Sequence, residues 1–147
     1  MQYIRLLHPK EWQAKENRFN RMAFRNYHRP PNGISIVDPA CAASRSGSVC
    51  SHISRYYQRW SAPTIFWIFD SERLPEHRIE HTNAIGGDEW CHRDIHGLSD
   101  EDADKSFKAD RLENKWSNYR LCRGEGSSEP LTEDGLIEWK TAHGLAL

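Results

Sequence analysis

PTIFWIFD, residues 63–70, is the most apolar run in the chain and limits its fold more than any other stretch. Aromatic and β-branched side chains occupy both parities, so no polar face remains. Such a run reads as a strand buried on both sides of a central sheet. Asp70-Ser71-Glu72 then turns the chain, and Leu74-Pro75 cannot prolong a central strand.

The segments around it supply partners. QYIRLLH (2–8) has the β-character of an opening strand, and Pro9 is suited to start a helix or turn. Lys10 to Glu16 then gives one or two helical turns. Asn17 to Asn32 sets Arg18, Arg21, Arg25 and Arg29 around Phe19, Met22 and Phe24, a basic loop closed by Pro30-Pro31-Asn32-Gly33. GISIVD (33–38) is a short strand. PACAASRSGS (39–48) is small and reads as a loop, with Ser46 or Ser48 able to cap the next helix. VCSHISRYYQRW (49–60) is that helix, with Val49, Ile53, Tyr56 or Tyr57, and Trp60 on the buried stripe. His52, Arg55, Gln58 and Arg59 are expected on the other side.

RIEHTNAI (78–85) is a further strand, and Gly86-Gly87-Asp88 makes a hairpin-like turn. In WCHRDIH (90–96) a period of two puts Trp90, His92, Asp94 and His96 on one face, with Cys91, Arg93 and Ile95 on the other. Leu98-Ser99-Asp100-Glu101-Asp102 opens a helix: Ser99 caps it, Asp102 completes a capping box, and an acidic first turn suits the dipole. That helix runs to about Leu112 and buries Ala103 and Phe107. NYRLCR (118–123) is a last strand and GEGSSEP (124–130) a linker. Thr132 caps a helix over Glu133 to His143, closed by Gly144. The reading is α+β: a single domain with a mixed or antiparallel central sheet of five to six strands and three to four helices. Residues 1–123 form its core, with a linker and packed C-terminal helix in 124–147.

At 147 residues, 37% hydrophobic and 28% charged, the chain can bury a single core. No apolar run approaches the roughly 20 residues that span a bilayer, so no membrane partner is expected. MQYIRLLHPKEW lacks a basic region followed by an apolar segment, so a cytoplasmic protein is expected. In that compartment Cys41, Cys50, Cys91 and Cys122 stay reduced, and none forms a CxxC pair. Charge is uneven: residues 1–60 hold ten Lys/Arg against three Asp/Glu, a net of +7, and the remainder holds ten against eighteen, a net of −8.

Several chemistries can be drawn from these residues. His92, Asp94 and His96 can bind a metal or move protons, with Cys41, Cys50, His52 and Cys91 as additional zinc donors, although their spacing matches no common finger. The ordinary alternative is an Asp94 that caps or pairs with an arginine. Cys91 as a nucleophile would need a base such as His81, and an inert buried cysteine is favoured over it. His52-Ile53-Ser54 is a lone HxS motif, too little for paired-histidine phosphodiester hydrolysis. No GxGxxG or GxxxxGK[ST] loop occurs. Arginines interleaved with Phe24, Tyr27, Tyr56 and Tyr57 could hold phosphates and stack on bases, with Arg21, Arg25 and Arg29 as nucleic-acid contacts. A third alternative is a non-enzymatic partner-binding or inhibitor protein.

The order YIRLLHP (3–9), FNRMAFRN (19–26), GISIVD (33–38) and CHRDIHGL (91–98) resembles small bacterial proteins with an ADP-ribosyltransferase-like fold, including the RES-type toxins. That resemblance implies an NAD-consuming toxin or defence effector. Arg5 or His8 would lie near the nicotinamide-ribose and phosphates, with Ser35 supporting the pocket. Arg5, Ser35, His92 and His96 would be catalytic, and a late glutamate, Glu80, Glu113 or Glu125, would activate the acceptor.

Overall fold

The computed structural model describes residues 1–24, 33–57, 63–74, 78–81, 89–112 and 116–147. Among these, seven strands form one sheet and two more form a small hairpin. The large sheet comprises β1 (Gln2–Leu7), β4 (Ile34–Val37), β5 (Thr64–Asp70), β6 (Arg78–His81), β7 (His92–His96), β8 (Tyr119–Cys122) and β9 (Glu129–Pro130). Their order is β6-β7-β4-β1-β5-β8-β9, and every pairing is antiparallel. The α+β, single-domain expectation holds, with a larger sheet than expected.

PTIFWIFD is the interior strand β5, paired with β1 and β8. Its alternation feeds two cores. Ile65, Trp67 and Phe69 pack with Tyr3, Leu7, Ile36 and Leu121 on one face. Phe66 packs with Ile4, Val37 and Cys122 on the other. A helix layer covers each face. The first core takes Ala103 and Phe107 from α3 (Asp100–Leu112) and Leu136 and Trp139 from α4 (Glu133–Ala142). The second takes Ala42 from α1 (Pro39–Ser46) and Cys50 and Ile53 from α2 (Val49–Tyr56). Trp139 is fully buried, so the C-terminal helix belongs to the main core.

Local signals set these elements. Asp102 N–H donates to Ser99 Oγ at 3.1 Å, and Gly135 N–H donates to Thr132 Oγ1 at 3.1 Å, the expected caps of α3 and α4. Gly33 precedes β4 where a Cβ would lie 2.3 Å from the Ile95 carbonyl oxygen of β7. Gly33→Ala must push these paired strands apart, and a loss of about 2 kcal/mol in urea unfolding is the expected result.

Three segments depart from expectation. PACAASRS is not a loop but α1. Asp38 accepts hydrogen bonds from the Ala40 and Cys41 amides, Pro39 fills the first helical position, and alanines propagate the turn. Lys10 to Glu16 does not continue as a helix: a 3-10 turn over Pro9–Glu11 leads into a hairpin of β2 (Trp12–Gln13) and β3 (Arg18–Phe19). There Trp12 and Phe19 pack edge-on against Trp139. GEGSSEP ends in β9, paired with β8. The Gly86-Gly87-Asp88 turn and the continuation of the 49–60 helix through Gln58, Arg59 and Trp60 lie outside the described residues.

A buried polar hub ties α3 to the sheet. Asp110 accepts from Trp67 Nε1 (3.0 Å), Arg73 Nη1 (2.7 Å) and Asn118 Nδ2 (2.7 Å), and Tyr119 Oη donates to its backbone carbonyl. Burial, and then the Asp110 charge, push the Tyr119 hydroxyl far above its ordinary range. Asp110→Asn keeps the shape but turns a donor toward donors. Its expected cost is about 2 kcal/mol in denaturant unfolding.

Candidate active site

All four cysteines are paired, Cys41 with Cys91 and Cys50 with Cys122. This corrects the expectation of reduced cysteines, including an inert or nucleophilic Cys91 thiol. Positions that are 50 and 72 residues apart in sequence meet because α1 and α2 lie on the sheet face that carries Cys122 and the segment before β7.

The residues assigned to an NAD pocket are divided between the two faces of the sheet. Arg5 pairs with Trp67 and faces the α3/α4 core, where its guanidinium donates to the carbonyls of Ala23 and Ser35, each at 2.7 Å. Ser35 pairs with Asp94 on the opposite face, as strand alternation requires. His92 and His96 share that face with Asp94, as the period of two implies. His92 is buried beside Val37, and His96 Nε2 lies 3.5 Å from Glu80. His8 caps the Pro9–Glu11 turn, its Nδ1 accepting from the Lys10 amide while Glu11 accepts from the His8 amide. Arg21 is exposed, and Arg25 and Arg29 lie outside the described residues. Among the late glutamates, Glu80 and Glu125 are exposed and Glu113 lies outside the described residues.

The structure brings a different set together. His52 Nδ1 lies 2.8 Å from Ser46 Oγ, and His52 Nε2 lies 2.8 Å from each carboxylate oxygen of Glu89. His52 is 1% exposed and Glu89 0%, while Ser46 is half-buried. This corrects the expectation that His52 lies on the outer side of its helix. It sits three residues after Val49 and four before Tyr56, so helical periodicity puts it on the buried stripe.

Each member is held by structure on both sides. Ser46 ends α1, where Gly47 takes φ 89° and Ser48 immediately caps α2 by accepting from the Ser51 amide. His52 lies one turn into α2 with Tyr56 at 4.7 Å between ring centroids, and α2 is tethered to β8 by Cys50–Cys122. Glu89 is fixed by the Cys91 amide, which donates to it at 2.8 Å. Cys91 is itself fixed by its disulfide to α1 and by the Asp38 amide, which donates to the Cys91 carbonyl at 3.0 Å. Burial raises the Glu89 carboxyl, but donors from His52, Tyr57 and the Cys91 amide outweigh it and leave it below the ordinary range. A carboxylate ringed by donors is an acceptor, so Nε2 carries a proton, and in the neutral ring Nδ1 presents a lone pair to Ser46.

A serine hydroxyl on one ring nitrogen and a buried carboxylate on the other is an arrangement that can generate a nucleophile. At its border in sequence, exposed Arg45 stacks over the half-exposed ring of Trp90 at 5.5 Å. Glu89 is not among the sequence candidates, and Ser46 stands among them only as a helix cap. Compared with family models, curated proteins and solved structures, the chain matches none.

Proposed function

We propose that Ser46, His52 and Glu89 form a nucleophilic relay and that the chain is a hydrolase or acyl transferase acting on ester-like carbonyls. The observation that carries this reading is the hydrogen-bonded line from Ser46 Oγ through both nitrogens of a buried imidazole to a buried carboxylate. Ser46 attacks the carbonyl carbon while His52 Nδ1 takes its proton. The tetrahedral oxyanion collapses, the leaving alcohol takes the proton from Nδ1, and the acyl group stays on Ser46. Water, deprotonated by Nδ1, then releases the acid and restores Ser46. Glu89 is a positioning residue: it holds the ring in the required tautomer and stabilises the imidazolium.

An NAD-consuming reading would rest on Arg5, whose guanidinium is engaged on the other face, so the relay has the stronger support. The compartment proposed is an oxidising one, because two disulfides are maintained where thiols are not continuously reduced. Among the described residues no helix is long and apolar enough to cross a membrane. Turnover of activated aryl esters by the disulfide-intact chain tests the function. Hydrolysis above the buffer rate that disappears in Ser46→Ala is expected, and turnover unchanged in that variant rejects the reading.

A further inference from the structure

We propose that reduction of the Cys41–Cys91 disulfide converts the same buried cluster into a zinc site built by Cys41, Cys91, His52 and Glu89. The donor atoms of His52, Glu89 and Cys91 already lie within 4.8 Å of one another, and all three residues are buried. Cys41 Sγ is bonded to Cys91 Sγ, so breaking that bond releases a fourth donor beside them. With the disulfide intact, neither sulfur is a thiolate and the set does not fit a metal. After reduction it becomes two thiolates, one imidazole and one carboxylate, a donor set that zinc accepts in tetrahedral coordination.

Two features favour this over simple loosening of the fold. Asp38 and its cap hold the start of α1, and the Asp38 amide holds the Cys91 carbonyl, so both cysteine backbones keep anchors that do not depend on the disulfide. The second bridge is more protected: Cys50 and Cys122 are 1% and 2% exposed, whereas Cys41 is half-buried. A dithiol reductant therefore meets Cys41–Cys91 first. Its thiolate attacks Cys41 Sγ, Cys91 leaves as a thiolate and takes a proton, and the second thiol resolves the mixed disulfide. The reductant leaves as a disulfide and Cys41 and Cys91 as thiols. Zinc then displaces a proton from each thiol, the His52 proton moves from Nε2 to Nδ1, where Ser46 Oγ accepts its hydrogen bond, and the freed Nε2 and Glu89 become the remaining ligands. Loss of relay turnover in the zinc form rests on the function proposed above, but zinc binding itself does not.

The test is a titration of Zn²⁺ against a chromophoric indicator, using the full chain before and after mild reduction by a water-soluble phosphine. Co²⁺ absorption reports thiolate coordination. One equivalent bound after reduction, with none in the oxidised chain, is the expected result. Cys91→Ser and His52→Ala each weaken it by about 100-fold or more, and Ser46→Ala does not, which separates this proposal from the relay. If the reduced chain loses its circular dichroism, recovery of that signal on adding one equivalent of Zn²⁺ supports the site and failure to recover overturns it. Equal binding before and after reduction, or binding unaffected by Cys91→Ser, also overturns it.

Discussion

His52→Ala is expected to lower the turnover of an activated ester by at least about 10³-fold, and Glu89→Gln to do so by a similar order. The first removes the base within hydrogen-bonding distance of Ser46 Oγ. The second acts through the imidazole. Nε2 now meets an amide that can donate, which favours the tautomer with its proton on Nδ1, facing Ser46. Because neither side chain needs to touch the substrate before attack, kcat should fall while KM holds. Losses should not add: Ser46→Ala combined with His52→Ala should be no worse than either alone. A purely structural pair gives a different pattern, in which Glu89→Gln lowers the thermal midpoint and leaves kcat per folded molecule unchanged.

Serine at Cys50 and Cys122 should lower stability by about 4 kcal/mol, the loop-closure value for a bridge spanning this much chain. The sequence separation is 72 residues, and the bridge joins α2 to β8 across the second core. Both positions are buried, so new hydroxyls there gain no water in exchange for the lost bond. For a chain of this length the midpoint should fall by about 10 °C, read by calorimetry in the absence of reductant. Equal midpoints for the variant and the parent would mean that this bridge does not constrain the fold.

These expectations differ in how far the sequence reveals their basis. The interior position of β5, the two faces of β7 and the caps of α3 and α4 are legible because each depends on local periodicity or a cap residue. Ser99 and Thr132 need no knowledge of distant neighbours. The helix α1 is signalled too, through Asp38-Pro39 and the alanines, but its lack of an apolar stripe makes PACAASRS resemble a loop. His52 carries a usable signal in its spacing from Val49 and Tyr56.

The disulfides and Glu89 are not legible. Four cysteines allow three pairings, and choosing one needs the topology that brings Cys41 to Cys91. Glu89 belongs to no periodic segment of the sequence and is selected by its distance to His52, a contact across 37 residues. The faces of the residues assigned to NAD are not legible for a simpler reason. Strand alternation sends the Arg5 and Ser35 side chains to opposite faces, and a shared order of segments carries no information about that.

The most direct measurement is covalent labelling of the disulfide-intact protein by a fluorophosphonate, followed by peptide mass spectrometry. The relay predicts one adduct per chain, located on Ser46, that His52→Ala abolishes in protein retaining its native circular dichroism. No adduct on Ser46, or the same adduct formed at the same rate without His52, would contradict it.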